Sequence, residues 1–340
     1  MTTAPETSKA VSNWLIVVAI MVIAMILVGG ATRLTDSGLS ITEWRPVTGV
    51  VPPLTHEGWL EEFEKYRSSS EYQLQNAGMT LGEFEFIYWW EWGHRFLGRA
   101  IGLVFAVPLI FFWVRGMIPA GMKPKLVGLL ALGGLQGFVG WWMVASGLVD
   151  RVDVSQYRLA AHLSLAFVIL GVTLWLALSA RFGTASGKAG RLTPLALVFW
   201  GAVMVQIALG AFVAGLDAGR IYTTWPGMEG RIIPDGYLAG LPWYQAIFES
   251  HAAVQFHHRW MGYFVGVFAF VAAFLFWKTG DRKLKGLSHG IAAMVVIQIA
   301  LGIVTLVHAA PLSLSLIHQF GAVVLFLLAG SAAWSARRAV

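Results

Sequence analysis

The chain has no cysteine, and only 12% of its residues are charged. The first absence excludes disulfides, thiolate-held metals and iron–sulfur clusters bound by this chain, leaving His, Met or carboxylate as metal ligands. The second excludes a soluble domain, in which about a quarter of the residues usually carry charge. What is present instead is apolar: 57% of the 340 residues are hydrophobic, and mean hydropathy is +0.67. The net charge of +6 does not mark a nucleic-acid binder, because the basic residues lie in short runs between apolar segments rather than in one patch. This is the composition of an all-α integral membrane protein.

Runs long enough to cross a bilayer, roughly 20 residues, occupy about 14–31, 94–114, 125–146, 158–180, 194–215, 258–278, 288–308 and 313–335. The first is preceded by Lys9 and Glu6 and followed by no small-x-small cleavage site, so it reads as a retained helix rather than a signal peptide. Pro108 and Pro311 fall within or beside two of the runs, where a membrane helix tolerates them as kinks. With the amino terminus in the cytoplasm, that side carries 13 of the 24 basic residues, among them Lys188, Lys283 and Arg337, but only Glu6 and Asp281 of the 18 acids. The positive-inside bias therefore predicts cytoplasmic termini, with even-numbered spans beginning on the outer side. Two outer segments are long, about 33–93 and 217–257. The first contains HEGWLEEFEKYRSSSEYQL, which predicts an amphipathic surface helix with a turn at Ser68–Ser70.

The chain repeats itself. EWGHRFLGRAIG (91–102) returns as QFHHRWMGYFVG (255–266), pairing His94 with His258, Arg95 with Arg259, Gly98 with Gly262 and Gly102 with Gly266. Gly29, Asp36 and Gly38 match Gly210, Asp217 and Gly219; Gln136-x-x-x-Gly140 matches Gln298-x-x-x-Gly302; His162 matches His318. An even number of spans per half predicts two parallel-repeat four-helix bundles, 1–185 and 186–340.

Each half then holds one histidine pair, His94 with His162 and His258 with His318. A single intramembrane histidine often does no more than bond a neighbouring helix. Two symmetry-related pairs without cysteine suit bis-imidazole coordination of heme iron in a bundle core, and two histidines are too few for a typical structural zinc site. Arg95 and Arg259 follow at the depth where heme propionates would meet the outer phase, with snorkelling the alternative. Gly98, Gly102, Gly262 and Gly266 would admit close approach of a helix or macrocycle. Glu91 lies three residues before His94, on the same face if the helix begins that early; its counterpart Gln255 cannot exchange a proton in the same way. This difference points to chemistry in the first half and a structural or electron-transfer heme in the second. His257 is an alternative ligand beside His258. His56, His251, His289 and His308 have no repeat partners and read as surface residues.

The same residues carry a family resemblance. GGATRLTDSGLSITEWRPVTGVVPP, EFEFIYWWEWGHRFLGR, LGGLQGFVGWWMVASGL, AGLDAG, TWP, VQFHHRWMG and IHQFGA together resemble the heme A synthase family over nearly the whole chain, in its proteobacterial and mitochondrial form. Another bacterial group carries a cysteine pair in the first outer loop, and any redox role of that pair does not carry over here. The resemblance implies oxidation of a methyl group of heme O to the formyl group of heme A, by successive hydroxylations and loss of water, for cytochrome c oxidase. It implies that His94 and His162 bracket the substrate heme, that Glu91 is the catalytic acid, and that His258 and His318 ligate a resident heme b. It also implies a bacterial inner-membrane location with heme sites toward the periplasm. Expected partners are a heme O-producing farnesyltransferase, the oxidase assembly machinery, an electron donor and membrane lipid, but no nucleic acid; homo-oligomer formation is a further expectation. The main rival is a di-heme b membrane cytochrome that only transfers electrons. A transporter is a second rival, disfavoured by the lack of broken helices with charged midplane residues.

Overall fold

The computed structural model describes residues 7–45, 48–148, 152–183 and 190–338. Glu6, Lys188 and the 185/186 boundary expected between the halves lie outside the described residues. Among the described residues, eight helices are long and apolar enough to cross a membrane: α1 (Lys9–Leu34), α4 (Leu81–Val114), α5 (Lys123–Val144), α6 (Gln156–Phe182), α7 (Thr193–Gly215), α9 (His251–Lys278), α10 (Arg282–Val307) and α11 (Leu312–Ala336). Between them lie the short α-helices α2 (His56–Arg67), α3 (Ser70–Leu74) and α8 (Trp243–Glu249). Sequence chemistry sets the helix starts. Thr80 and Glu83 form a reciprocal capping box at α4, Ser250 accepts from the backbone N–H of Ala253 at α9, and Asp281 accepts from Lys283 and Leu284 at α10. Proline occupies the first turn of α5 and of α7, where its missing N–H costs nothing.

Two helices depart from the expected boundaries. α4 begins more than three turns before His94, and α9 nearly two turns before His258. Hydropathy marks only the part of a helix that matches lipid, whereas the caps at Thr80 and Ser250 let both continue beyond the apolar stretch. Glu91 is therefore helical and shares a face with His94, and His251 opens α9 rather than lying in a loop. α4 runs through Pro108 to Val114, and Pro311 caps α11.

α1, α6, α7 and α11 form the centre of the molecule, each packed on the next, with α6 also touching α11. α4 and α5 flank α1 and α6; α9 and α10 flank α7 and α11. Away from the histidines, the central seam is filled by large rings over small residues. Trp200 packs on Phe326 at 5.3 Å between ring centroids, and Phe326 meets Phe167 edge-on at 5.2 Å. A β-carbon on Gly171 or Gly330 would come within 2.8–2.9 Å of the Trp200 ring, so these two positions require glycine.

The outer segment expected to form a surface helix does so as α2 and α3, broken at Ser68–Ser69. Phe63 and Tyr66 pack on Phe84, Ile87 and Tyr88 of α4 as a second apolar cluster. Burying each large ring contributes about 1.5–3 kcal/mol, enough to hold this hairpin against the outer end of α4.

Candidate functional site: two imidazole pairs braced from neighbouring helices

His94 and His162 stand on α4 and α6, His258 and His318 on α9 and α11. In the second pair the ring centroids are 6.4 Å apart and the planes are nearly perpendicular, at 85°. A metal ion bound about 2.0 Å from one nitrogen of each ring requires roughly this spacing, so the donor set fits an iron between them. His94 and His162 are close enough to interact electrostatically. Among the described residues, no group of three or more His, Cys, Asp or Glu side chains forms a metal-binding cluster.

Every ring lies against a glycine of another helix. A β-carbon on Gly29 of α1 would come 2.9 Å from His94 Cε1, and one on Gly140 of α5 would come 2.9 Å from His162 Cε1. The corresponding distances are 3.0 Å from Gly210 of α7 to His258 and 3.0 Å from Gly302 of α10 to His318. The four glycines admit imidazoles where any other side chain would push them away.

Glutamines brace three of the rings. Gln136 donates to the backbone carbonyl of His162 at 3.1 Å, Gln206 to that of His258 at 3.0 Å, and Gln298 to that of His318 at 2.9 Å. The same amide nitrogens lie 3.2–3.4 Å from ring nitrogens. The role of these glutamines was not foreseen. The Q-x-x-x-G spacing of Gln136 and Gln298 was visible as a repeat marker, and extending it to Gln206-x-x-x-Gly210 would have found the third.

At the outer end, Glu91 is 3% exposed. Its Oε2 accepts from Ser40 Oγ and from the backbone N–H of Ile41, both at 2.7 Å, and its Oε1 accepts from Arg95 at 2.6 Å. It is thus a buried group tying α4 to the loop after α1, not a solvated acid. Arg95 donates onward to the carbonyls of Ile41 and Glu43. The second half repeats the plan without the acid: Arg259 donates to the carbonyls of Tyr222 and Thr224, and Gln255 to that of Tyr222 at 3.0 Å. Both arginines therefore brace outer loops, a use of guanidinium that sequence alone did not show. His257 turns away from His318 to meet Tyr237 Oη at 2.8 Å, leaving His258 as the paired residue.

Arg33, at the end of α1, joins the two halves. Its guanidinium reaches Asp36 and Asp217 at 2.7 Å each, and Asp153 at 3.8 Å. The repeat-related Asp36 and Asp217 share a left-handed backbone, with φ of 49° and 50°.

A family model described as cytochrome oxidase assembly protein (COX15-CtaA) matches residues 12–329. The chain is 59% identical over 333 residues to a heme A synthase of Maricaulis maris, covering 98% of each chain. The chain belongs to this family. Two further family members, heme A synthases of Hyphomonas neptunium and Parvibaculum lavamentivorans, are 49% and 48% identical to it over 334 and 330 residues. These matches cover 98% and 97% of the chain and 94% of each relative. The family's span thus takes in most of α1 and of α11, with the four paired histidines, their glycines and Glu91 inside it.

Proposed function

We propose that the chain is a heme A synthase, oxidising a methyl group of heme O to the formyl group of heme A, with its two halves holding different hemes. The observation that carries this reading is the His258–His318 pair at iron-bridging distance, together with the same glycine-backed construction around His94 and His162. His258 and His318 hold a resident heme b, whose chemistry is one-electron exchange. His94 and His162 hold the substrate iron. The doubled arrangement is the two-bundle parallel repeat, with both termini on the cytoplasmic side of a bacterial inner membrane and both hemes toward the periplasm.

Two differences between the halves support placing the substrate in the first. Glu91 supplies a carboxylate where the second half has Gln255, and a proton acceptor placed at the reacting group is typically worth about a hundred- to ten-thousand-fold. The wall between α4 and α5 is also thinner than its counterpart. A β-carbon on Gly266 would meet Ile299 Cδ1 at 3.0 Å across α9 and α10, whereas the equivalents of both residues, Gly102 and Gly137, are glycines with open space beside them. A lipid-tailed substrate that must enter and leave suits the open half, and a resident group the closed one. The buried Nε of Arg259, which has no partner, is available to a heme propionate. The oxidase assembly machinery is the receiver of the product, and a heme O-producing farnesyltransferase is its supplier.

The reading is tested by giving the purified membrane protein heme O and an electron donor and chromatographing the extracted hemes. Heme A formed beside an unchanged pool of heme b supports it. Heme b alone, with heme O recovered intact, leaves the electron-transfer cytochrome as the better account.

A further inference from the structure

The four histidine positions are built alike except for one residue. Three carry the glutamine of a Q-x-x-x-G turn on a neighbouring helix, and the equivalent of Gln206 in the first half is Met25, in Met25-x-x-x-Gly29. Met25 occupies the same place in space. Its Cε would lie 3.2 Å from a β-carbon on Gly98, just as Gln206 Nε2 would lie 3.3 Å from one on Gly262.

The substitution removes two interactions. A thioether cannot donate to the His94 carbonyl, and it is at best a weak acceptor for a ring N–H. A ligating histidine normally donates its second ring nitrogen to an oxygen that fixes its tautomer and orientation. Gln136, Gln206 and Gln298 each hold their histidine through the amide nitrogen, which donates to its backbone carbonyl at 2.9–3.1 Å and lies 3.2–3.4 Å from a ring nitrogen. His94 Nδ1 and His162 Nδ1 are both buried without a partner, but Gln136 still holds His162 through its backbone carbonyl at 3.1 Å, whereas a thioether gives His94 no such hold.

Resting on the assignment of the substrate to the first half, we infer that Met25 is a positioning residue that leaves His94 the one histidine of the four without a glutamine brace, so that the first site releases its heme while the second retains it. The substrate site must take up heme O and give up heme A, and a histidine that no neighbouring side chain orients leaves iron more readily than a braced one. Removing a hydrogen-bond partner of a ligating histidine typically costs about 10–100-fold in metal affinity, which is the difference expected between the two sites.

The experiment is a reciprocal exchange, Met25→Gln and Gln206→Met, in the full-length protein, with the rate of heme transfer to excess apomyoglobin as the readout and heme type resolved by chromatography. Gln206→Met is expected to speed loss of heme b by 10–100-fold. Met25→Gln is expected to slow loss of heme O or heme A from the first site by a similar factor. Unchanged transfer rates in both exchanged variants would overturn the inference. Should Gln206→Met fail to fold, Met25→Gln alone decides: slower loss supports the inference and an unchanged rate overturns it. Wild-type protein that binds no heme at all would instead overturn the functional reading on which the inference rests.

Discussion

Adding one methyl group behind an imidazole proposed to bind iron tests the geometry of the second site most sharply. In Gly210→Ala the new β-carbon would stand 3.0 Å from His258 Cε1, and in Gly302→Ala it would stand 3.0 Å from His318 Cε1. Ordinary contact begins at 3.4 Å, so ring or helix must yield by about 0.4 Å. Iron-site ligand distances are held to within about ±0.2 Å, and the ring cannot absorb the whole shift while staying bound. Overpacking of this kind costs about 1–3 kcal/mol, or roughly 5–150-fold in heme affinity. The control is Gly201→Ala on the same helix as Gly210, where the added carbon meets open space. Heme-to-protein ratio and the low-spin absorption and paramagnetic resonance spectra of the purified variants are the assay. Gly210→Ala and Gly302→Ala should lose heme b or shift its spectrum, while Gly201→Ala keeps both. Wild-type heme content and spectra in both tight variants would refute the claim that His258 and His318 share an iron across these glycines.

Three other outcomes follow from particular contacts. Glu91→Gln places an amide where one carboxylate receives three donors, so it must turn N–H groups toward Arg95 or toward Ser40 and Ile41. Heme A formation should fall by about a hundred-fold or more while the heme b spectrum stays, and unchanged heme A yield would remove Glu91 from the chemistry. Burial, with the nearby charge of Glu91 adding to it, pushes the Glu71 carboxyl from its ordinary 4.5 up to about 8. Because the folded value lies above the unfolded one, Glu71's contribution to stability is complete below pH 4.5 and is lost as pH rises through 8. The fluorescence of Trp59, which packs on Tyr88 and Trp89, should report loosening of α2 and α3 between pH 6 and 9 in wild type and much less in Glu71→Gln; equal titrations in both would contradict this. Arg33→Met leaves Asp36, Asp217 and Asp153 facing one another across the two halves. It should lower stability by about 1–3 kcal/mol, seen as a lower melting temperature that Asp217→Asn partly restores; a wild-type melting temperature in Arg33→Met would show that the ion cluster is dispensable.

Much of this molecule is legible in its sequence because lipid imposes a simple rule: a spanning segment must be both apolar and helical. That rule located the eight spans but not the outer ends of α4 and α9, where the helix continues past the apolar stretch under the control of Thr80 and Ser250. The histidine pairs were legible because the chain states them twice. Glu91 stood out by its contrast with Gln255, yet its partners Ser40 and Ile41 lie about 50 residues away along the chain, beyond anything local pattern reveals. Gln206 was missed for a narrower reason. The first-half counterpart of its turn begins with Met25, so the halves do not agree there, and the disagreement that hid the motif is what distinguishes the two sites.

The central claim is that one pair holds the substrate and the other a resident heme, and one comparison addresses it directly: the hemes extracted from His94→Ala and His258→Ala, each expressed with a supply of heme O. The account predicts that His94→Ala keeps heme b and loses heme O and heme A, and that His258→Ala loses heme b. Loss of heme b from His94→Ala, with full retention in His258→Ala, would contradict it.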